Sequence, residues 1–169
     1  MTDDVAFREF VVARSPGLLR TAYLLTHDEG LAEDLLQTAL TKAWFAWGRL
    51  NDDPLRYVRR ILVTTAVSWR RRRWVGEQPV ARLPETPGRL VDSSTGHDLW
   101  AAIGRLSPRQ RAVVVLRYYE DLSDAEIARV LDCAVGTVRS QISRALATLR
   151  GHLDGATLTT NVRTGGEAR

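Results

Sequence analysis

LSDAEIARVLDCAVGTVRSQISRALATL, residues Leu122 to Leu149, is the stretch whose reading decides the fold. Ala125, Ile127, Ala128 and Leu131 form a short apolar helical stripe, and after a break at Asp132 and Cys133 a second stripe follows at Val138, Ile142, Ala145, Leu146 and Leu149. Two short amphipathic helices joined by about three residues predict a helix-turn-helix. Small Ala128 is expected where the two helices approach most closely, with Val138 plugging the angle between them. Thr137, Ser140, Gln141 and Arg144 then share the opposite face, one turn apart, and short donors, an amide and a guanidinium are suited to base edges in a major groove. From Ala134 through Leu149 there is no Asp or Glu, while Arg139, Arg144 and Arg150 are present. A helix that only packed and faced water would carry mixed charges, so this element points to DNA.

The composition narrows the field. The chain has 169 residues and a formal charge of +4, and of its 24 basic residues only Lys42 is lysine. Arginine is the side chain suited to phosphate and to guanine. With Cys133 as the single cysteine, neither an intramolecular disulfide nor a thiolate metal cluster can form. No segment approaches the roughly 18 apolar residues that would span a bilayer, and the acidic amphipathic start MTDDVAFREF is no signal peptide, so a cytoplasmic protein is expected. His27, His97 and His152 are scattered without metal-ligand spacing and are expected at the surface. No nucleophile-base pair or glycine-rich phosphate loop is present, so neither catalysis nor a cofactor is expected.

In chain order, Phe7, Phe10, Val11, Leu18, Leu19, Ala22, Tyr23 and Leu25 predict two helical pieces interrupted near Ser15, Pro16 and Gly17. Asp28 is the expected cap of a helix over 31–47 with an apolar face of Leu31, Leu35, Leu36, Ala39, Leu40, Ala43, Trp44 and Trp47. Asp53 and Pro54 open a further helix to about Trp74, with Leu55, Val58, Ile61, Leu62, Thr65, Ala66 and Trp69 inward. Residues 1–53 hold nine acids against five bases, whereas Pro54 to Trp74 hold seven arginines and no acid. A basic helix ending in WRRRRW combines phosphate attraction with flat surfaces for base stacking. Residues 75–97 are rich in Gly, Pro and Ser and read as a linker between two domains. Beyond it, Leu99, Ala102, Ile103 and Leu106 predict a short helix, and Ser107 with Pro108 caps the helix that leads into the helix-turn-helix. The polar tail 154–169 is expected to be disordered.

LAEDLLQTALTKAW (31–44), the basic helix through WRRRRW (69–74) and LSPRQRAVVVLRYYEDLSDAEIARVLDCAVGTVRSQISRALATLR (106–150), in that order across a linker, resemble the extracytoplasmic-function sigma factors of bacterial RNA polymerase. The wording around GTVRSQ is most similar to an actinobacterial, SigE-like subgroup. The resemblance implies an all-α protein of two small helical domains joined by a flexible linker, with no cofactor or metal. Residues 1–74 would be region 2, 75–97 the linker and 98–153 region 4, with regions 1 and 3 absent. It implies binding to core RNA polymerase through Glu33, Asp34, Gln37, Thr41 and Lys42. The melted minus-ten strand would be read by Arg59, Arg60, Thr64, Ser68, Trp69, Arg70, Arg71, Arg72 and Arg73. The minus-thirty-five duplex would be read by Val135, Gly136, Thr137, Arg139, Ser140, Gln141, Ser143 and Arg144. Promoter DNA and core polymerase are thus the implied partners, an anti-sigma factor is left open, and no membrane is involved. Thr64 and Ser68 stand where many relatives have asparagine and aspartate, so the minus-ten base preference does not carry over. At the bend, Asp132 and Ala134 replace the frequent glycine and serine.

Two other readings compete. The stretch from Leu106 onward also resembles the output domain of LuxR-type regulators, but residues 1–74 show only helical periods and no receiver or ligand domain. A decoy that binds polymerase without recognising promoters is the other, suggested by the departures at Thr64, Ser68 and Ala134.

Overall fold

The computed structural model describes residues 2–50, 53–76 and 94–164, with side chains described for 4–50, 53–69 and 98–154. The described residues form helices α1 (Thr2–Thr26), α2 (Glu29–Ala46), α3 (Pro54–Gly76), α4 (Ser94–Gly104), α5 (Pro108–Val114), α6 (Asp124–Leu131) and α7 (Val135–Thr164), without a strand. A 3-10 turn, Trp47–Arg49, ends α2, and a π-helical turn, Val115–Tyr119, extends α5.

The helix starts follow from local chemistry. The Asp28 carboxylate accepts from the Leu31 N–H at 2.8 Å, and that of Asp53 from the Arg56 N–H at 2.9 Å. Ser107 with Gln110, and Ser123 with Glu126, form reciprocal capping boxes at α5 and α6. The α6 helix ends at Asp132, whose backbone is left-handed at φ 51°, ψ 57°. That conformation turns the chain into α7, where the Ala134 carbonyl accepts from Thr137 and Val138. The helix-turn-helix therefore forms where expected, with Val138 fully buried and Ala128 buried beside it.

α1, α2 and α3 pack as a three-helix unit through Leu18, Ala22, Leu35, Ala39, Val58 and Leu62, while α4 to α7 form a second unit. One continuous core joins the two, because α3 also packs on α5 and α6. Val63, absent from the expected inward face of α3, is fully buried for that reason. The Trp100 ring crosses the same seam, stacking on Tyr23 at 4.4 Å and on His27 at 3.7 Å between ring centroids. His27 is accordingly half-buried, not a surface residue. His97 lies outside the described side chains.

Four further expectations change. α1 runs unbroken through Pro16. Proline inside a helix costs about 3 kcal/mol. Pro16 and Gly17 are exposed, so the missing hydrogen bond faces water, while both halves of α1 keep packing on α2 and its end. Trp44 and Leu99, expected inward, are 41% and 44% exposed, and Trp100 takes the inward position on α4. α4 already begins at Ser94, inside the expected linker; residues 77–93 lie outside the described set. α7 continues to Thr164 through the segment expected to be disordered. No proline follows Pro108 in the sequence, and extending an existing helix needs one hydrogen bond per residue fixed.

Arg111 is fully buried in this arrangement. Its guanidinium donates to the carbonyls of Ile103, Gly104 and Leu106 at the end of α4, and to Leu25 near the end of α1 at 3.2 Å.

Two substitutions test the bend. Ala134→Ser supplies the side-chain cap that α7 lacks and is expected to stabilise the chain by about 1 kcal/mol. Asp132→Val places a β-branched side chain in a left-handed backbone and is expected to destabilise it by roughly 1 to 2 kcal/mol. Urea midpoints at unchanged slope measure both.

Candidate nucleic-acid interface

α2 buries Ala32, Leu35, Leu36, Ala39 and Ala43, which forces Glu33, Asp34, Gln37, Thr41 and Lys42 together onto its exposed side. The Thr41 hydroxyl donates back to the Gln37 carbonyl at 2.8 Å, leaving the two acids, the amide and the ammonium to define this surface. It is an exposed face of mixed charge.

α3 distributes its candidate residues differently. Arg60 and Thr64 are exposed one turn apart, with the Thr64 hydroxyl donating to the Arg60 carbonyl at 2.7 Å. Ser68 is half-buried, and Trp69, expected as a stacking surface, packs partly against the core. Arg59 is drawn into the seam between the two units, where it pairs with Glu120 at 2.5 Å. The α3 backbone runs on through Arg70, Arg71, Arg72 and Arg73, whose side chains lie outside the described residues.

α7 turns Val138, Ala145 and Leu149 inward, so that Gly136, Arg139, Ser140, Ser143 and Arg144 are exposed and Thr137 and Gln141 half-exposed. Val135 packs partly against the core, not outward as expected. A Cβ at Gly136 would meet nothing, so the start of the helix is open to a large partner. Arg139 reaches back to Asp124 at 3.1 Å, yet its side chain stays 72% exposed. A surface pair of this kind is worth about 0 to 1 kcal/mol, little against a phosphate or base contact. Between Val135 and Leu149 the outward face of α7 thus collects two guanidiniums, three hydroxyls and an amide without a carboxylate, on a helix, an element that a major groove admits.

The start of α6 is acidic, and its charge is held by the cap. The Ser123 backbone N–H at 2.8 Å, then its hydroxyl at 2.7 Å, donate to the Glu126 carboxylate. Together with the fields of Arg129 and Arg56 they hold its carboxyl below the ordinary value of 4.5. Among the described residues no group of His, Cys, Asp and Glu could hold a metal ion.

Sequence reasoning missed the residues of the seam: Thr21, Trp100, Arg111 and Glu120. Arg111 carried a faint signal, standing three and four residues before Val114 and Val115, on a face that has to be buried. Glu120 carried none, because its partners are distant in sequence.

Residues 10–75 match the family model described as Sigma-70 region 2, and residues 97–149 that described as Sigma-70, region 4. The RNA polymerase sigma-E factor of Streptomyces coelicolor is 40% identical over 159 residues, covering 90% of this chain and 89% of that protein. The ECF RNA polymerase sigma factor SigL of Mycobacterium tuberculosis is 35% identical, covering 79% and 80%. Among solved structures, the sigma factor RpoE in complex with the anti-sigma factor NepR from Bartonella quintana superposes with a TM-score of 0.70 at 26% identity, over 88% of this chain and 97% of that one. CnrH, in complex with the cytosolic domain of CnrY, superposes with a TM-score of 0.63 at 25% identity, over 90% of both.

The cap chemistry gives a pH prediction. A carboxyl held below its ordinary value stabilises the fold above that value and loses the contribution as pH falls through the depressed one. Ser123→Ala removes the hydroxyl but not the N–H. The Glu126 carboxyl is therefore expected to titrate closer to 4.5, and acid unfolding to become less steep, as read by NMR titration of its side chain.

Proposed function

The chain belongs to the extracytoplasmic-function sigma factors of the sigma-70 family, and from that premise we propose how its surfaces divide the work of transcription initiation. As an RNA polymerase sigma factor it directs the polymerase to promoters, and the family acts without catalysing a reaction of its own. In our reading the chemistry resides in the polymerase, and this chain contributes binding.

The exposed mixed-charge face of α2, with Glu33, Asp34, Gln37, Thr41 and Lys42, docks on core RNA polymerase. The outward face of α7 enters the major groove of the upstream promoter element, with Gln141 and Arg144 at base edges and Arg139 near phosphate. α3 takes the separated strand of the downstream element through Arg59, Arg60, Thr64 and Ser68, and the arginines that follow supply phosphate attraction. Residues 1–74 and 98–153 act as the two binding domains. The observation that carries this reading is the exposed face of α7 between Val135 and Leu149, acid-free and set outward by the buried Val138. An anti-sigma factor is a further partner, supported by the solved relative RpoE, which is bound to the anti-sigma factor NepR. No described helix is long and apolar enough to cross a membrane, and the chain works in the cytoplasm beside its polymerase.

A stand-alone regulator gives way to this reading because its first half would have to be something other than region 2. The decisive experiment is reconstitution of the chain with core polymerase on a fragmented genomic library, with start sites mapped. Starts that share a pair of upstream motifs at fixed spacing support the proposal; polymerase binding without specific starts would indicate a decoy.

On such a promoter, Arg144→Ala and Gln141→Ala are each expected to weaken protection of the upstream element by roughly 1 to 3 kcal/mol and to relax its sequence preference. Asp34→Arg is expected to lower affinity for core polymerase tenfold or more, about 1.4 kcal/mol, with DNA contacts of α7 unchanged. Footprinting and a polymerase pull-down titration read the two effects separately.

A further inference from the structure

Asp124 belongs to none of the proposed binding faces, yet it pairs with a residue of one of them. It is the first residue of α6, and its backbone is fixed from both sides. Behind it, the Leu122 N–H donates to the Leu116 carbonyl and the Arg117 guanidinium to the Leu122 carbonyl, each at 3.0 Å. Ahead of it, the capping box of Ser123 and Glu126 holds the helix start. The Asp124 carboxylate, its side chain 25% exposed, stands between two guanidiniums, with Oδ1 at 4.0 Å from Arg117 and Oδ2 at 3.1 Å from Arg139 of α7. The contact with Arg139 is made through Nε, the guanidinium nitrogen nearest its backbone. That leaves the outer edge of the fork, Nη1 and Nη2, for a second acceptor, on a side chain 72% exposed.

We propose that Asp124 is a positioning residue for DNA recognition: it orders Arg139 through Nε so that Nη1 and Nη2 together meet a phosphate of the upstream duplex. This rests on the reading of α7 as the groove-binding helix. A free arginine loses much rotamer freedom when it is clamped on a phosphate, and a neighbour that has ordered it beforehand reduces that loss. The neighbour must itself be rigid, and the fixed start of α6 makes it so. Arg117 offsets part of the carboxylate's charge, so the acid repels an incoming phosphate less than an isolated one would. The pair adds little to the stability of the fold; its contribution appears when DNA is bound.

The test uses the full chain with core polymerase and a duplex promoter fragment recovered by start-site mapping, with binding measured in the cold, before strand separation, over a range of salt. Asp124→Ala and Asp124→Asn lose the same charge, but only the amide keeps an oxygen that can accept from the Arg139 Nε. Asp124→Ala is expected to bind roughly two- to fivefold more weakly than Asp124→Asn, the range of one exposed ion pair. The slope of log affinity against log salt is expected to fall by up to about 0.9, one phosphate contact, in both Asp124→Ala and Arg139→Ala, and to be kept in Asp124→Asn. With Arg139→Ala already present, the two variants at 124 are expected to bind alike. Equal binding by Asp124→Ala and Asp124→Asn in the otherwise unaltered chain would overturn the positioning role in favour of a plain charge effect. A difference between them that persists without Arg139 would overturn it as well, assigning the effect to the start of α6. Both of those outcomes leave the reading of α7 standing. Unchanged affinity and slope in Arg139→Ala would overturn the phosphate contact of Arg139 itself, and the positioning role with it.

Discussion

The closed arrangement depends on one buried cation. The Arg111 guanidinium is surrounded by backbone carbonyls at the C-terminal ends of α4 and α1. The last carbonyls of a helix have no intrahelical donor, and the aligned peptide dipoles place partial negative charge there. A single arginine thus answers two helix ends, one from each half of the chain, and those ends in turn solvate a charge that would otherwise be costly to bury. The stack of Tyr23, Trp100 and His27 joins the two halves at the same seam. Remove the guanidinium, and orphan carbonyls are left on both sides of the seam.

Around this junction the three helices with proposed binding roles, α2, α3 and α7, are exposed to different degrees. α2 and α7 each bury one face against their own unit and leave the other free. α3 is packed on two sides, by α1 and α2 through Val58 and Leu62, and by α5 and α6 through Val63. Among the described side chains of α3, the exposed strip therefore narrows to Arg56, Arg60 and Thr64 along one line of the helix. In the proposed reading, recognition of duplex needs no rearrangement of the helix-turn-helix.

The parts of the fold that were legible in the sequence are those governed by contacts within about four residues. Asp28, Asp53 and Ser107 cap helices because a short side-chain oxygen can reach an unpaired N–H three residues on. Asp132 bends the chain because aspartate tolerates the left-handed region. The outward face of α7 followed from the inward period of Val138, Ala145 and Leu149. The same local rules misplaced Pro16, where packing of α1 along α2 outweighs the helix-breaking tendency of proline, and Trp44, whose apolar type did not guarantee burial.

What the sequence by itself determined is the all-helical class, the order of its elements, the two candidate units and the surfaces presented by α2 and α7. Each of these is a one-helix property, set by period, cap and charge. Only the tertiary structure decided that the two units share a core, that Trp100 and not Leu99 turns inward, that Arg111 is buried and that Glu120 holds Arg59. These pairings join residues far apart in the chain, and no local period encodes which charged residue will face which. Their identity is fixed by the seam, where buried charges must find partners across whatever surfaces the apolar packing has already brought together.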